Sequence, residues 1–112
     1  MTTRYAAQAL QKMAHDLLVA AGLDAAPAAS IASTLCNGDL LGHDTHGLAL
    51  LAPYLREIEQ GSMTRCGKPQ EVSSKPAAML WDGQRLPGPW LMDLALDRMI
   101  PAAREFGLSS MV

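Results

Sequence analysis

The stretch Gly42-His43-Asp44-Thr45-His46-Gly47 places two imidazoles, a carboxylate and a hydroxyl in four consecutive positions between two glycines. Tyr54 follows eight residues after the second histidine. No other segment of this 112-residue chain concentrates as many groups that transfer protons or form hydrogen bonds. The stretch is therefore the starting point for both the fold and a candidate site.

A helix is predicted to begin at Asp44 or Thr45, because both residue types are common N-caps. It is predicted to end near Gln60, with Gly61 as its C-terminal stop. Pro53 lies inside this span and is expected to kink the helix or to restart it.

His46 would then occupy the first turn of that helix, at the positive end of the helix dipole. This position favours an anionic ligand such as a carboxylate, and it favours a neutral imidazole. Leu50 and Tyr54 follow at helical spacing and would share a face with His46. The other interpretation is that Asp44 and Thr45 only cap the helix and that the histidines are only satisfied polar groups.

The rest of the chain is predicted to contain further helices, a few short strands and no internal repeat. The last strand begins at the end of the chain, which predicts a fragment of a larger fold or a module completed by another chain. The expected helices are Arg4–Ala21 (N-cap Thr3, stop Gly22), Asp24 to Asn37-Gly38 and Trp90–Phe106 (kink at Pro101, stop Gly107). The expected strands are Glu71–Ser73, Ala77–Trp81 (then a turn at Asp82-Gly83) and Leu108–Val112.

Composition excludes several classes of function. The formal net charge is −2 and there is no basic patch, so neither nucleic acid nor a membrane surface is an expected partner. No apolar run approaches the roughly 20 residues that span a bilayer, and the N-terminus lacks an apolar signal core. Cys36 and Cys66 are expected to be free thiols in a reducing cytoplasm.

Metal and phosphate sites are weakly supported. A zinc site could be imagined from His43, Asp44, His46 and Cys36, but the spacing lacks a second ligand pair, so no metal is predicted. The chain has neither a Gly-x-Gly-x-x-Gly nor a Gly-x-x-x-x-Gly-Lys phosphate loop.

The stretch from Asp39 to Gly47, followed by Tyr54-Leu55-Arg56-Glu57-Ile58 and Gly61, resembles the N-terminal signature of the malate/L-lactate dehydrogenase family. That family of NAD(P)-dependent oxidoreductases includes ureidoglycolate and sulfolactate dehydrogenases and cyclic imino-acid reductases. Further agreement comes from Ala77 to Gly83 and from the helix that ends in Glu105-Phe106-Gly107.

The resemblance implies an α/β fold that is not a Rossmann sheet, with N-terminal helices and a mostly antiparallel sheet. Residues 1–112 would form a single truncated domain, the helix-rich N-terminal part of a longer homodimeric enzyme. That enzyme would transfer a hydride between NAD or NADP and a small 2-hydroxy or 2-oxo acid. By resemblance His46 and Tyr54 are the catalytic residues, and His43, Asp44, Thr45 and Gly47 bind substrate or cofactor. Gly47 would permit close approach of a ligand, and a role in tight packing alone is equally open.

Three departures from the family pattern bear on function. Leu50 stands where many members have an arginine that binds a substrate carboxylate. The segment Arg85-Leu86-Pro87-Gly88-Pro89-Trp90 replaces a glycine-rich loop. The family's second histidine and most cofactor contacts would lie beyond Val112, so the chain alone is expected to be inactive. The alternatives are a non-catalytic helical interaction module, a remnant gene product, or a small metal-binding domain.

Overall fold

A computed structural model describes residues 3–112, and helices dominate them. Two short 3-10 turns lie between the second and third helices, at Asp44–His46 and Leu48–Leu50. The remaining elements are α1 (Ala7–Ala20), α2 (Ala25–Leu40), α3 (Leu51–Gln60), β1 (Gln70–Lys75), β2 (Ala78–Asp82), α4 (Gly88–Phe106) and β3 (Ser110–Met111).

The main core lies among α1, α2 and α3. Leu18 of α1, Ile31 of α2 and Ile58 of α3 are fully buried in it. Alanines at positions 28 and 32 of α2 and at 14 of α1 are also fully buried, and such small side chains let the two helices approach closely. Burial of each large aliphatic side chain stabilises the fold by about 1.5–3 kcal/mol. This core supports the segment that follows α2.

The sheet has the order β1-β2-β3. β1 and β2 are antiparallel, with a bulge between Glu71 and Ser73, whereas β2 and β3 are parallel. A parallel pair needs a crossover connection, and α4 supplies it. The helix-rich α/β fold that the sequence predicts is therefore confirmed, and β3 is the strand predicted at the end of the chain.

The molecule is elongated, with extents of 51 × 30 × 20 Å. Its radius of gyration is 15.8 Å, against about 13 Å for a compact domain of this length. Large apolar side chains are consequently exposed, among them Leu40, Leu41, Met92 and Leu108. The Ser30 hydroxyl of α2 donates a hydrogen bond to the Asp93 carboxylate of α4, which links the helical core to the sheet layer.

Two predicted helix ends are wrong. α1 begins at Ala7 with Ala6 at the cap position, so Thr3 does not cap it. Tyr5 is 71% exposed, and without burial nothing holds an earlier turn. α2 continues through Gly38 to Leu40. This glycine serves close packing rather than helix termination.

The single helix predicted from Asp44 or Thr45 to Gln60 is also wrong. Gly47 has an extended backbone (φ −100°, ψ −154°) that separates the two 3-10 turns. The α-helix restarts at Leu51, so Pro53 falls in the first turn, where its missing N–H costs no intrahelical bond. The predicted restart near this proline is confirmed. Pro101, by contrast, lies inside α4, which continues past it to Phe106.

Candidate functional site

The segment Gly42–Gly47 folds back over the last turn of α2. Gly42 begins the reversal with a positive φ of 82°, a conformation that glycine adopts easily. The His43 amide then donates to the Gly38 carbonyl at 2.8 Å, and the His46 amide donates to the His43 carbonyl at 2.9 Å. The two histidines are thus carried on a turn that is hydrogen-bonded to α2.

Two glycines make this close approach possible. A Cβ on Gly38 would collide with the carbonyl of His46, and a Cβ on Gly47 would collide with the carboxylate of Asp39. The same carboxylate accepts a hydrogen bond from the Leu48 amide at 2.9 Å. Asp39 therefore holds the start of the second 3-10 turn and fixes the backbone that carries His46.

The polar side chains of the segment face solvent. His43, Asp44, Thr45 and His46 are all exposed, whereas Gly47 is buried. The Thr45 hydroxyl and His46 Nδ1 share a hydrogen bond of 2.9 Å. This bond leaves Nε2 as the ring nitrogen that a ligand could contact.

The predicted position of His46 at a helix N-terminus is wrong. The residue ends a three-residue 3-10 turn, and the α-helix begins five residues later at Leu51. A turn this short has little dipole, so the predicted attraction of an anion to His46 loses its basis. Any proton transfer by His46 depends on its exposed ring and on Thr45.

Tyr54 lies in a cleft of about 450 Å³ between α3 and the turn that precedes α4. His46 does not line this cleft, because Gly47 interrupts the helical face that the sequence predicts. Leu50 and Tyr54 do lie on one face, as predicted, and both line the cleft. The lining residues are Leu50, Pro53, Tyr54, Glu57, Ser62, Met63, Arg85, Leu86, Pro87 and Gly88.

The environment of Tyr54 keeps its phenol protonated. Burial raises the pKa of Tyr54 above its ordinary value, and the nearby negative charge of Glu57 raises it further. Both effects disfavour the phenolate. Tyr54 is therefore a hydrogen-bond donor over a wide pH range, suited to an oxygen of a bound acid.

Asp44 belongs to a different cleft, of about 620 Å³, which is also lined by Arg4, Asp39 and Cys36. Burial raises the pKa of the Cys36 thiol, and the charge of Asp39 adds to the effect. Cys36 and the exposed Cys66 are both free thiols, as predicted.

Metal ligands do not converge in the part of the chain that the structure describes. Within residues 3–112, no group of three or more His, Cys, Asp or Glu side chains is arranged to hold a metal ion. The imagined set of His43, Asp44, His46 and Cys36 is accordingly not assembled. Over the same residues, no helix is long and apolar enough to cross a membrane.

A sequence profile described as malate/L-lactate dehydrogenase matches residues 5–112. The chain belongs to this family. It is 27% identical over 99 residues to the Δ1-pyrroline-2-carboxylate reductase of Ancylobacter novellus, covering 88% of the chain and 29% of the relative. It is also 27% identical over 107 residues to hydroxycarboxylate dehydrogenase B of Escherichia coli K12, covering 96% of the chain and 30% of the relative.

Solved structures of dehydrogenases share the fold of this family member. Malate dehydrogenase from Entamoeba histolytica superposes with a TM-score of 0.92 over 99% of the chain, at 22% identity. Malate dehydrogenase from Pyrococcus horikoshii OT3 superposes with a TM-score of 0.93 over 97% of the chain, at 23% identity. In both cases the chain covers 31% of the solved protein. The relatives are named as dehydrogenases and reductases, so the family is one of oxidoreductases.

Sequence reasoning missed three residues of this family member's site region. The sequence predicts Gly38 as a helix end and predicts no role for Asp39, yet together they pack and hold the turn. The signal was an aspartate in the last helical turn just before a short loop of exposed amides. Arg85 stands out in the sequence only as part of an altered loop, and no local pattern shows that it lines the cleft of Tyr54.

Proposed function

We propose that this chain forms the substrate-facing part of a dehydrogenase that transfers a hydride between NAD or NADP and a small 2-hydroxy or 2-oxo acid. One observation carries the proposal: Tyr54, a protonated phenol, shares a cleft with a guanidinium, that of Arg85. A donor and a fixed cation are what a hydroxy acid requires. The names of the relatives, hydroxycarboxylate dehydrogenase and pyrroline-2-carboxylate reductase, are those of enzymes of small acids.

We propose a division of roles among the residues. His46 does not line the cleft of Tyr54, but it lies on the turn just before Leu50, which does. Oriented by the hydroxyl of Thr45, it takes the proton of the substrate hydroxyl during oxidation and returns it during reduction. Tyr54 donates a hydrogen bond to a substrate oxygen and so orients the acid. His43 and Asp44 are further binding residues on the same turn.

Gly47 contributes to this arrangement through the backbone. Its lack of a side chain admits the carboxylate of Asp39, and this contact holds the turn that bears His46. By their match to the family pattern, we propose that these residues line the nicotinamide end of the dinucleotide site. The nicotinamide, when bound, supplies the hydride acceptor.

The chain spans 29% to 31% of the length of the relatives described above. We therefore propose that the 112-residue chain by itself has no measurable dehydrogenase activity and binds nicotinamide weakly. Activity would need the remaining part of the family fold, in a homodimer. The free thiols Cys36 and Cys66 fit a reducing cytoplasm.

A chimera tests the proposal. Residues 1–112 are joined to the part of hydroxycarboxylate dehydrogenase B of Escherichia coli that the match leaves uncovered. Reduction of NAD and NADP is followed with lactate and malate. The proposal predicts turnover of at least one acid, whereas a folded chimera without turnover of either would contradict it.

Calorimetric titration of the 112-residue chain with NADH and NADPH tests the second part. A micromolar dissociation constant, about −8 kcal/mol, would show that the chain holds a full cofactor site and would contradict weak binding.

A non-catalytic helical interaction module is the second candidate. It is favoured by the exposed apolar side chains of Leu40 and Leu41, which are 68% and 75% exposed at the end of α2. Such side chains are typical of surfaces that another chain covers. Turnover by the chimera would decide against this candidate.

A further inference from the structure

The turn between β2 and α4 contains two consecutive residues in the left-handed region of backbone space. Gln84 has φ 55° and Arg85 has φ 57°, and neither is glycine. The left-handed conformation costs a residue with a side chain about 1–2 kcal/mol. It persists where surrounding contacts determine the backbone, and such residues cluster at binding sites.

Four hydrogen bonds hold this turn. Within it, the Gln84 amide donates to Asp82 Oδ1 at 2.9 Å and the Leu86 amide donates to the Gly83 carbonyl at 3.0 Å. From outside, Thr64 donates twice, through its hydroxyl to the Gln84 carbonyl at 2.6 Å and through its amide to the Arg85 carbonyl at 2.9 Å. The backbone that carries the Arg85 side chain is therefore fixed from both sides.

Arg85 lines the cleft of Tyr54 and carries the only positive charge among the described residues that line it. Within residues 3–112, Glu57 is the only lining residue with a negative charge, and Arg85 makes no ion pair within 4 Å with Glu57 or with any other carboxylate. The walls around the two charges are mostly apolar. A guanidinium that is unpaired, backbone-fixed and beside apolar walls is available to a ligand.

We infer that Arg85 binds the substrate carboxylate in the cleft it shares with Leu50 and Tyr54. This inference rests on the proposed function and deepens it, because it supplies a carboxylate partner on the opposite wall from Leu50. A guanidinium binds a carboxylate through two parallel hydrogen bonds. The first turn of α4, at Gly88, opens into the same cleft with its amides unoccupied by a side-chain cap.

Glu57 narrows the substrate class. One cation and one anion in the cleft fit an acid with a single carboxylate, which Arg85 binds. A second carboxylate on the ligand would meet the charge of Glu57. The cleft is therefore assigned to monocarboxylic 2-hydroxy acids such as lactate in preference to dicarboxylic ones such as malate.

The test uses the 112-residue chain, isotopically labelled for NMR. Titration with lactate is expected to give saturable shifts of the Leu86 and Gly88 amides, and titration with the neutral lactamide is not. Arg85→Gln should weaken lactate binding about 10- to 100-fold, the loss of one charged hydrogen-bonding group. Arg85→Lys, which keeps the charge, should retain part of the binding.

Matched variants separate a site from general charge effects. Arg56→Gln removes an exposed arginine of α3 that does not line the cleft, and it should leave lactate binding unchanged. Glu57→Gln should raise the affinity for malate relative to lactate. Lactate shifts that persist in Arg85→Gln, or the absence of saturable shifts in the unaltered chain, would overturn the inference.

The chimera distinguishes this inference from the proposed function. If it is active, Arg85→Gln should raise KM for lactate more than it lowers kcat, and adding Leu50→Arg should restore part of the loss. An active chimera whose KM for lactate does not change with Arg85→Gln would overturn the inference and leave the proposed function standing. An inactive chimera with Arg85-dependent lactate binding in the 112-residue chain would overturn the function and leave a carboxylate site.

Discussion

The carboxylate of Asp39 occupies the space in which a side chain at Gly47 would lie. From this position its Oδ2 accepts the hydrogen bond of the Leu48 amide at 2.9 Å. One contact thus joins the end of α2 to the turn that bears His46. The two residues are complementary, because the glycine makes room for the group that holds the turn.

Gly47→Ala is expected to destabilise the protein by about 1–3 kcal/mol, the usual range for forced overpacking. Asp39→Ala removes the collision and should also cost about 1–3 kcal/mol through the lost bond to Leu48. When Asp39 is already replaced by alanine, Gly47→Ala should lower the free energy of unfolding by less than it does in the unaltered protein. Urea unfolding of all four proteins measures the coupling, and strictly additive costs would show that Asp39 does not restrict residue 47.

Ser30→Ala is expected to lower the free energy of unfolding by about 1.5–3 kcal/mol, the range for a hydrogen bond to a charged group. The hydroxyl is buried on α2, and its partner Asp93 lies on α4. Ser33→Ala on the same helix is the matched control, because Ser33 makes no side-chain hydrogen bond within residues 3–112. Urea unfolding measures both variants. Equal losses of unfolding free energy would show that the Ser30–Asp93 hydrogen bond does not stabilise the protein.

The titration of Tyr54 makes the free energy of unfolding depend on pH in the alkaline range. Burial raises the pKa of Tyr54 in the folded protein, and Glu57 adds to it. The unfolded chain therefore loses this proton first, near pH 10. The free energy of unfolding should fall as pH rises from there through the folded pKa.

Tyr54→Phe should remove the part of the alkaline decline that Tyr54 causes, and Glu57→Gln should reduce that part while the larger effect of burial remains. A separate decline should persist in both variants, because burial also raises the pKa of the Cys36 thiol. Absorbance titration in a Tyr5→Phe background follows the Tyr54 phenol alone. If that phenol titrates at its ordinary pKa in the folded protein, the cleft is more hydrated than its geometry indicates.

The sequence predicts the elements well where one local signal dominates. Gly61 and Gly107 end their helices with positive φ, as expected of C-terminal glycines. It fails at Gly38, which is predicted as a helix end although the need for glycine comes from a tertiary contact with the turn. For Gly47 it leaves ligand approach and tight packing equally open, and only the contact with Asp39 shows the packing role. A local pattern records that a glycine is present, but not which atoms approach it.

The candidate site shows the same division. Tyr54 and Leu50 share a cleft because four residues of one helical path separate them, and helical spacing predicts that. Arg85 reaches the cleft from a turn after β2, and its backbone depends on Thr64, twenty-one residues away. Such a placement follows from packing between distant segments, which periodicity does not report.

The central claim is that this chain supplies the proton-handling histidine of a hydroxy-acid dehydrogenase. The most direct measurement is kcat/KM of the chimera with His46→Ala, alongside His15→Ala as a control on α1. Loss of an acid–base group typically costs about 100- to 10,000-fold, or roughly 3–5 kcal/mol. The account predicts such a loss for His46→Ala and none for His15→Ala. Nearly full activity of a folded His46→Ala chimera would contradict it.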